Sequence, residues 1–89
     1  MKFPLGQLTA TPGALDAIKA AGQQPAFFLD KHASGDWGEV SQEDKEENDL
    51  SLKNGFRLLS TYHTLRGVKL WVITEADRSA TTILLPEEY

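Results

Sequence analysis

The alternation of apolar and polar positions changes period along the chain, from helical in the first half to strand-like in the second. Ala14, Leu15, Ile18 and Ala21 recur at the spacing of one helix face. Thr11-Pro12-Gly13-Ala14 opens that helix, because the Thr11 hydroxyl can accept an orphan amide and proline at the first helical position has no amide to leave unpaired. Gly22 supplies its left-handed stop. A second helix is expected from Pro25 to about Ala33, with Phe28, Leu29, His32 and Ala33 along one stripe, so that His32 borders an apolar face. A third opens at Ser41-Gln42-Glu43-Asp44, a capping-box pattern ending in Asp, and closes at Asn54-Gly55. Leu50 and Leu52 are its only apolar residues, which predicts a helix at the domain edge with much of its surface in solvent.

From Phe56 the pattern becomes that of strands. Residues 56–62, 68–74 and 81–85 are rich in β-branched and aromatic side chains and are separated by turn signals at His63 to Gly67 and Ala76 to Ser79. The expected fold is α+β: two or three N-terminal helices packed on a C-terminal three-stranded antiparallel meander. Residues 3–9 offer an extra N-terminal edge strand, against which Pro4 and Gly6 count. The middle run is apolar on both faces, Val68, Leu70 and Val72 on one and Trp71 and Ile73 on the other. Helices are expected on one face, and a partner, a symmetry mate or the N-terminal segment on the other.

Eighty-nine residues with 40% hydrophobic content make one domain, residues 1–89. There is no cysteine, so packing alone holds it. No run approaches the ~18 apolar residues of a membrane span, and Met1-Lys2-Phe3-Pro4 does not begin a signal peptide, which points to a cytoplasmic protein without membrane contact. Charge is partitioned: Asp36 to Asp49 holds seven acids and one base, net -6, while the remainder is net +2. That partition argues against a general basic footprint on nucleic acid.

Chemistry concentrates in two segments, residues 32–38 and 74–82. His32 and Asp36 have the spacing for an imidazole oriented by an acid, or for a helix-end histidine beside a loop acid. Gly35 and Gly38 bracket Asp36-Trp37 in a tight loop that is expected to bury Trp37. Asp44 and Asn48, one helical turn apart, can reach that loop or form a solvated face. Asp77-Arg78-Ser79 reads as a turn between strands, while Arg78 with Thr81 or Thr82, and with Arg57 or His63 nearby, has the makings of an anion site. The candidate binding residues are therefore His32, Asp36, Trp37, Asp44, Asn48, Asp77, Arg78 and Thr81. No metal-ligand spacing and no glycine-rich phosphate loop is present, so no metal or cofactor is called for.

His32-Ala-Ser-Gly-Asp-Trp-Gly38, Asp44 with Asn48, Leu59-Ser-Thr-Tyr62 and Trp71-Val-Ile-Thr-Glu-Ala-Asp-Arg-Ser-Ala-Thr-Thr-Ile-Leu-Leu-Pro86 resemble a family of small bacterial plasmid-related proteins carried on mobile elements. The resemblance covers about residues 29–89 and implies no particular activity. The residues are read as those of a small binding or regulatory protein of unknown ligand, with an unknown protein partner or as a homodimer. The architecture is also similar to the small ribonuclease fold of barnase and RelE-like toxins. That likeness implies the alternative, a metal-independent ribonuclease acting on RNA through His32, Arg57, Thr61, Arg78 and Thr81.

Overall fold

A computed structural model describes residues 1–89 as four strands and three helices, ordered β1 (Gln7–Ala10), α1 (Pro12–Ala20), α2 (Pro25–Ala33), α3 (Gln42–Asn54), β2 (Leu58–His63), β3 (Lys69–Thr74) and β4 (Ala80–Leu84). A short 3-10 turn, Pro86–Glu88, follows. Helix boundaries follow the local chemistry. The Thr11 hydroxyl accepts the Ala14 amide at 3.2 Å, Ser41 accepts the Asp44 amide at 3.1 Å, and Gly55 ends α3 at φ 76°.

The sheet has the order β1-β4-β3-β2. β2, β3 and β4 form the expected antiparallel meander, with Leu59 opposite Ile73, Thr61 opposite Trp71 and Ile73 opposite Thr82. The sheet is nevertheless four-stranded and mixed, because β1 joins β4 in parallel, Leu8 beside Thr81 and Ala10 beside Ile83. Pro4 and Gly6 do not prevent this strand, since both precede it. Gly6 adopts φ 66° where an added Cβ would lie 2.4 Å from the Ser79 carbonyl, so glycine lets the N-terminal segment pass close to the β3–β4 turn and enter the sheet. The meander strands also start later or earlier by one or two residues than the apolar runs suggest, because Phe56-Arg57 and Val68 are used in the approaches to β2 and β3.

α1 and α2 cover one face of the sheet, here called the inner face. Its main cluster joins Ala14, Ile18, Phe28 and Leu29 to Tyr62, Leu70, Val72 and Ile83. A second cluster, Phe3, Trp37 and Leu58, lies against α3 through Leu52. The N-terminal segment therefore packs on the inner side and does not cover the outer face. On the outer face, Tyr89 meets Trp71 edge-on at 5.8 Å, and Ile73 and Leu84 are buried while Trp71 is only partly so.

α3 flanks the β2 edge. Residues 37–39 run alongside β2: Thr61 N–H donates to the Trp37 carbonyl at 3.1 Å, and Glu39 N–H donates to the Thr61 carbonyl at 2.7 Å. Gly38 is essential here, because at φ 76° a Cβ would lie 2.1 Å from the Thr61 carbonyl oxygen. One turn into the strand, the Asn48 side chain donates to the Leu59 carbonyl at 2.7 Å and accepts the Leu59 amide at 3.2 Å, standing in for the peptide of a neighbouring strand. The β2 edge is thus closed without a fifth strand.

Candidate functional site

His32 lies at the centre of a buried hydroxyl chain. The Leu5 carbonyl can only accept, so the Thr81 hydroxyl donates to it at 2.7 Å. Thr81 then accepts from Thr74 at 2.7 Å, and Thr74, its single proton committed, accepts from His32 Nε2–H at 2.8 Å. His32 Nδ1 is left bare and accepts the Ser60 hydroxyl at 2.5 Å. Ser60, His32, Thr74 and Thr81 are all fully buried. The chain sets one tautomer and requires a neutral ring. Burial, reinforced by the nearby Arg78 guanidinium, holds the imidazole pKa down to about 4. Phe3 and Trp37 seal the ring, meeting it edge-on at 5.3 and 5.6 Å. Asp36, four residues on, does not orient His32: its carboxylate accepts the Gly38 amide at 3.2 Å and faces Lys31 at 3.8 Å.

Arg78 is equally committed to the fold. It occupies the β3–β4 turn at φ 61°, beside an Asp77 carboxylate that accepts the Ser79 amide at 3.0 Å. Hydrogen bonds from Ser79 hold the Asp77 carboxyl below its ordinary range. The Arg78 guanidinium donates to the carbonyls of Phe56, Glu75 and Ala76 at 2.7, 3.1 and 3.2 Å and to Ser51 in the last turn of α3 at 3.2 Å, while lying over the Phe3 ring at 5.7 Å. It clamps the turn to the negative end of the α3 dipole through backbone carbonyls. Arg57 instead donates to the Tyr89 hydroxyl, and His63 contacts Glu39, so neither assembles an anion site with Arg78.

The structure therefore sorts the sequence candidates into two groups. His32, Trp37, Arg78 and Thr81 converge around Phe3 and the hydroxyl chain, and Asp36 and Asp77 hold adjacent turns; Trp37 is buried and its indole N–H donates to Asp49 of α3 at 3.1 Å. Asp44 and Asn48 lie elsewhere, on a groove of about 630 Å³ between α3 and the outer sheet face. Asp44 and Glu47 form its helical wall, Leu59, Thr61, Trp71 and Lys69 its floor, and Phe56 and Arg57 close one end. Lys31–Asp36 and His63–Glu39 are the chain's ion pairs, so Asp44 and Glu47 face Lys69 and Arg57 across the groove without pairing. Nowhere do three His, Asp or Glu side chains converge as metal ligands do. Sequence reasoning passed over Lys69, Glu47 and Leu59; the readable signal was strand alternation, which puts 59, 61, 69 and 71 on the face left by the helices.

No known protein family, curated protein or solved structure matches the chain. No helix is long and apolar enough to cross a membrane.

Proposed function

We propose that the protein is a small binding or regulatory module that works by protein association through the groove between α3 and the outer sheet face. One observation carries the reading: the expected reactive groups are consumed inside the fold, whereas Asp44, Glu47 and Lys69, which make no ion pair, gather around this groove beside the part-exposed Trp71. An aromatic and apolar centre with polar groups at its rim is the arrangement of an association surface. The resemblance to plasmid-related proteins supplies the setting, the cytoplasm of a bacterium that carries a mobile element. The ribonuclease alternative needs an imidazole and a guanidinium opening onto one cleft; His32 has no exposed surface and Arg78 donates to four backbone carbonyls, and neither lines the groove.

A photo-crosslinking residue in place of Leu59, on the groove floor, tests the reading in living cells, with the same residue at Leu65, which is 80% exposed on the β2–β3 turn, as control. Adducts at 59 that are absent at 65 support it. Equal labelling at the two positions, or RNA cleavage by pure protein that vanishes in a His32 variant, overturns it.

A further inference from the structure

We infer that the occupant of the groove is a second copy of this chain, docked about a two-fold axis so that each α3 seats in the other's groove. The inference rests on the association reading above and adds the partner's identity. Its basis is the division of charge within one cleft. Asp44 and Glu47 stand on the raised helical wall, and Lys69 and Arg57 belong to the floor and its end; Glu39 at the rim is taken by His63 and Arg57 donates to the Tyr89 hydroxyl, yet no ion pair links Asp44 or Glu47 to Lys69 or Arg57. A purely basic partner would suit the wall and be repelled from the floor, and an acidic one would suffer the reverse. A surface carrying both signs side by side is complementary to itself under two-fold rotation, because isologous contact sets residue i against j and j against i. Each acidic wall then meets the other protomer's Lys69 and Arg57, with Trp71 and Leu59 at the centre.

β2 and β3 add a geometric reason. Lys69 pairs with His63 at one end of the hairpin, whereas Arg57 precedes Leu58, which pairs with Thr74 at the other. The two bases therefore bracket Trp71, and a helix laid along the groove finds a cation towards each of its ends. The sheet's antiparallel strands and the closed β2 edge leave a rigid floor for it.

The test is a charge swap read by sedimentation. Wild-type protein is expected to be a dimer at micromolar concentration, weakened by added salt. Lys69→Glu alone and Glu47→Lys alone each create two like-charge contacts per dimer and should raise the dissociation constant on the order of tenfold or more. An equimolar mixture of the two variants restores both opposite-charge contacts, so it should recover a heterodimer near wild-type affinity. Both side chains are exposed, and far-UV circular dichroism checks that each variant is folded. A monomeric wild type overturns the inference, as does a dimer indifferent to either substitution, or variants whose mixture stays dissociated. If the wild type is monomeric and the residue-59 crosslinker captures another protein, the groove still binds and only the self-association falls. With no adduct at all, the association reading falls too.

Discussion

Acid should destabilise this protein through His32 before its carboxylates titrate. In the unfolded chain the imidazole takes up a proton near its ordinary 6.5, whereas in the fold it resists until about 4, because protonation puts charge into a sealed site and gives Nδ1 a proton where the Ser60 hydroxyl already donates. Above 6.5 neither state binds the proton and the full stability is present. Between 6.5 and about 4 only the unfolded chain binds it, so stability falls with pH by about 1.4 kcal/mol per pH unit, and below about 4 the loss levels off. The total is roughly 3 kcal/mol, a large share of the ~4–13 kcal/mol expected for a domain of this size. Urea unfolding at pH 7, 5.5 and 4 measures it, with His32→Gln as reference: glutamine can donate to Thr74 and accept from Ser60 but does not titrate in this range. Asp77 and Glu88, whose carboxyls are held low by hydrogen bonds from Ser79 and from Thr11, respectively, contribute equally to both proteins and cancel. Parallel pH profiles for wild type and His32→Gln, or a His32 imidazole resonance, assigned by its loss in His32→Gln, titrating near 6.5 in the folded protein, would refute the argument.

Trp37→Ala should cost about 3–5 kcal/mol, since the indole is buried against Phe3 and His32 and held by Asp49; a melting shift of no more than a degree or two contradicts that packing. Gly38→Ala should destabilise by more than about 1 kcal/mol, because both the positive φ and the Thr61 carbonyl exclude a methyl group, and unchanged thermal stability would show that the 37–39 bridge is dispensable. Asn48→Ala strips two partners from the Leu59 peptide and should cost about 1–3 kcal/mol, with faster hydrogen exchange at the Leu59 amide; an exchange rate like that of wild type disposes of the peptide-surrogate role.

Most of the fold was legible because its signals are local. Thr11-Pro12, Ser41 and Gly55 mark helix ends through bonds made within a few residues, and strand alternation reports burial directly. What escaped was set by distant pairings. Nothing near Gln7 announces that it will lie parallel to Ala80, since that contact depends on the whole intervening chain folding first. The roles of the chemical residues misled for a related reason. His32, Arg78 and Asn48 look like site residues because they bear versatile donors and acceptors. The fold spends that versatility internally, on a hydroxyl relay, on helix-end carbonyls and on a strand edge.

That internal spending also bears on where the proposed association surface lies. A small sheet has two long edges and two faces to satisfy, and each exposed one invites association. Here α1 and α2 close the inner face, and Asn48 with residues 37–39 closes the β2 edge. The C-terminal turn reaches only part of the outer face, through Tyr89 on Trp71. The opposite edge, β1, is four residues long and borders the Thr11-Pro12 helix start, which limits what can pair there. The remaining outer face carries Trp71 and Leu59, with Asp44, Glu47 and Lys69 around them outside any ion pair. α3 therefore has two sides: Asn48, Ser51 and Leu52 turn towards the domain, Asn48 and Ser51 at the base of the groove, and Asp44 and Glu47 form the groove's exposed wall. Its scarcity of apolar residues follows from that division, because a helix that seals a strand edge through an amide and turns its carboxylates outward has little use for a continuous hydrophobic stripe.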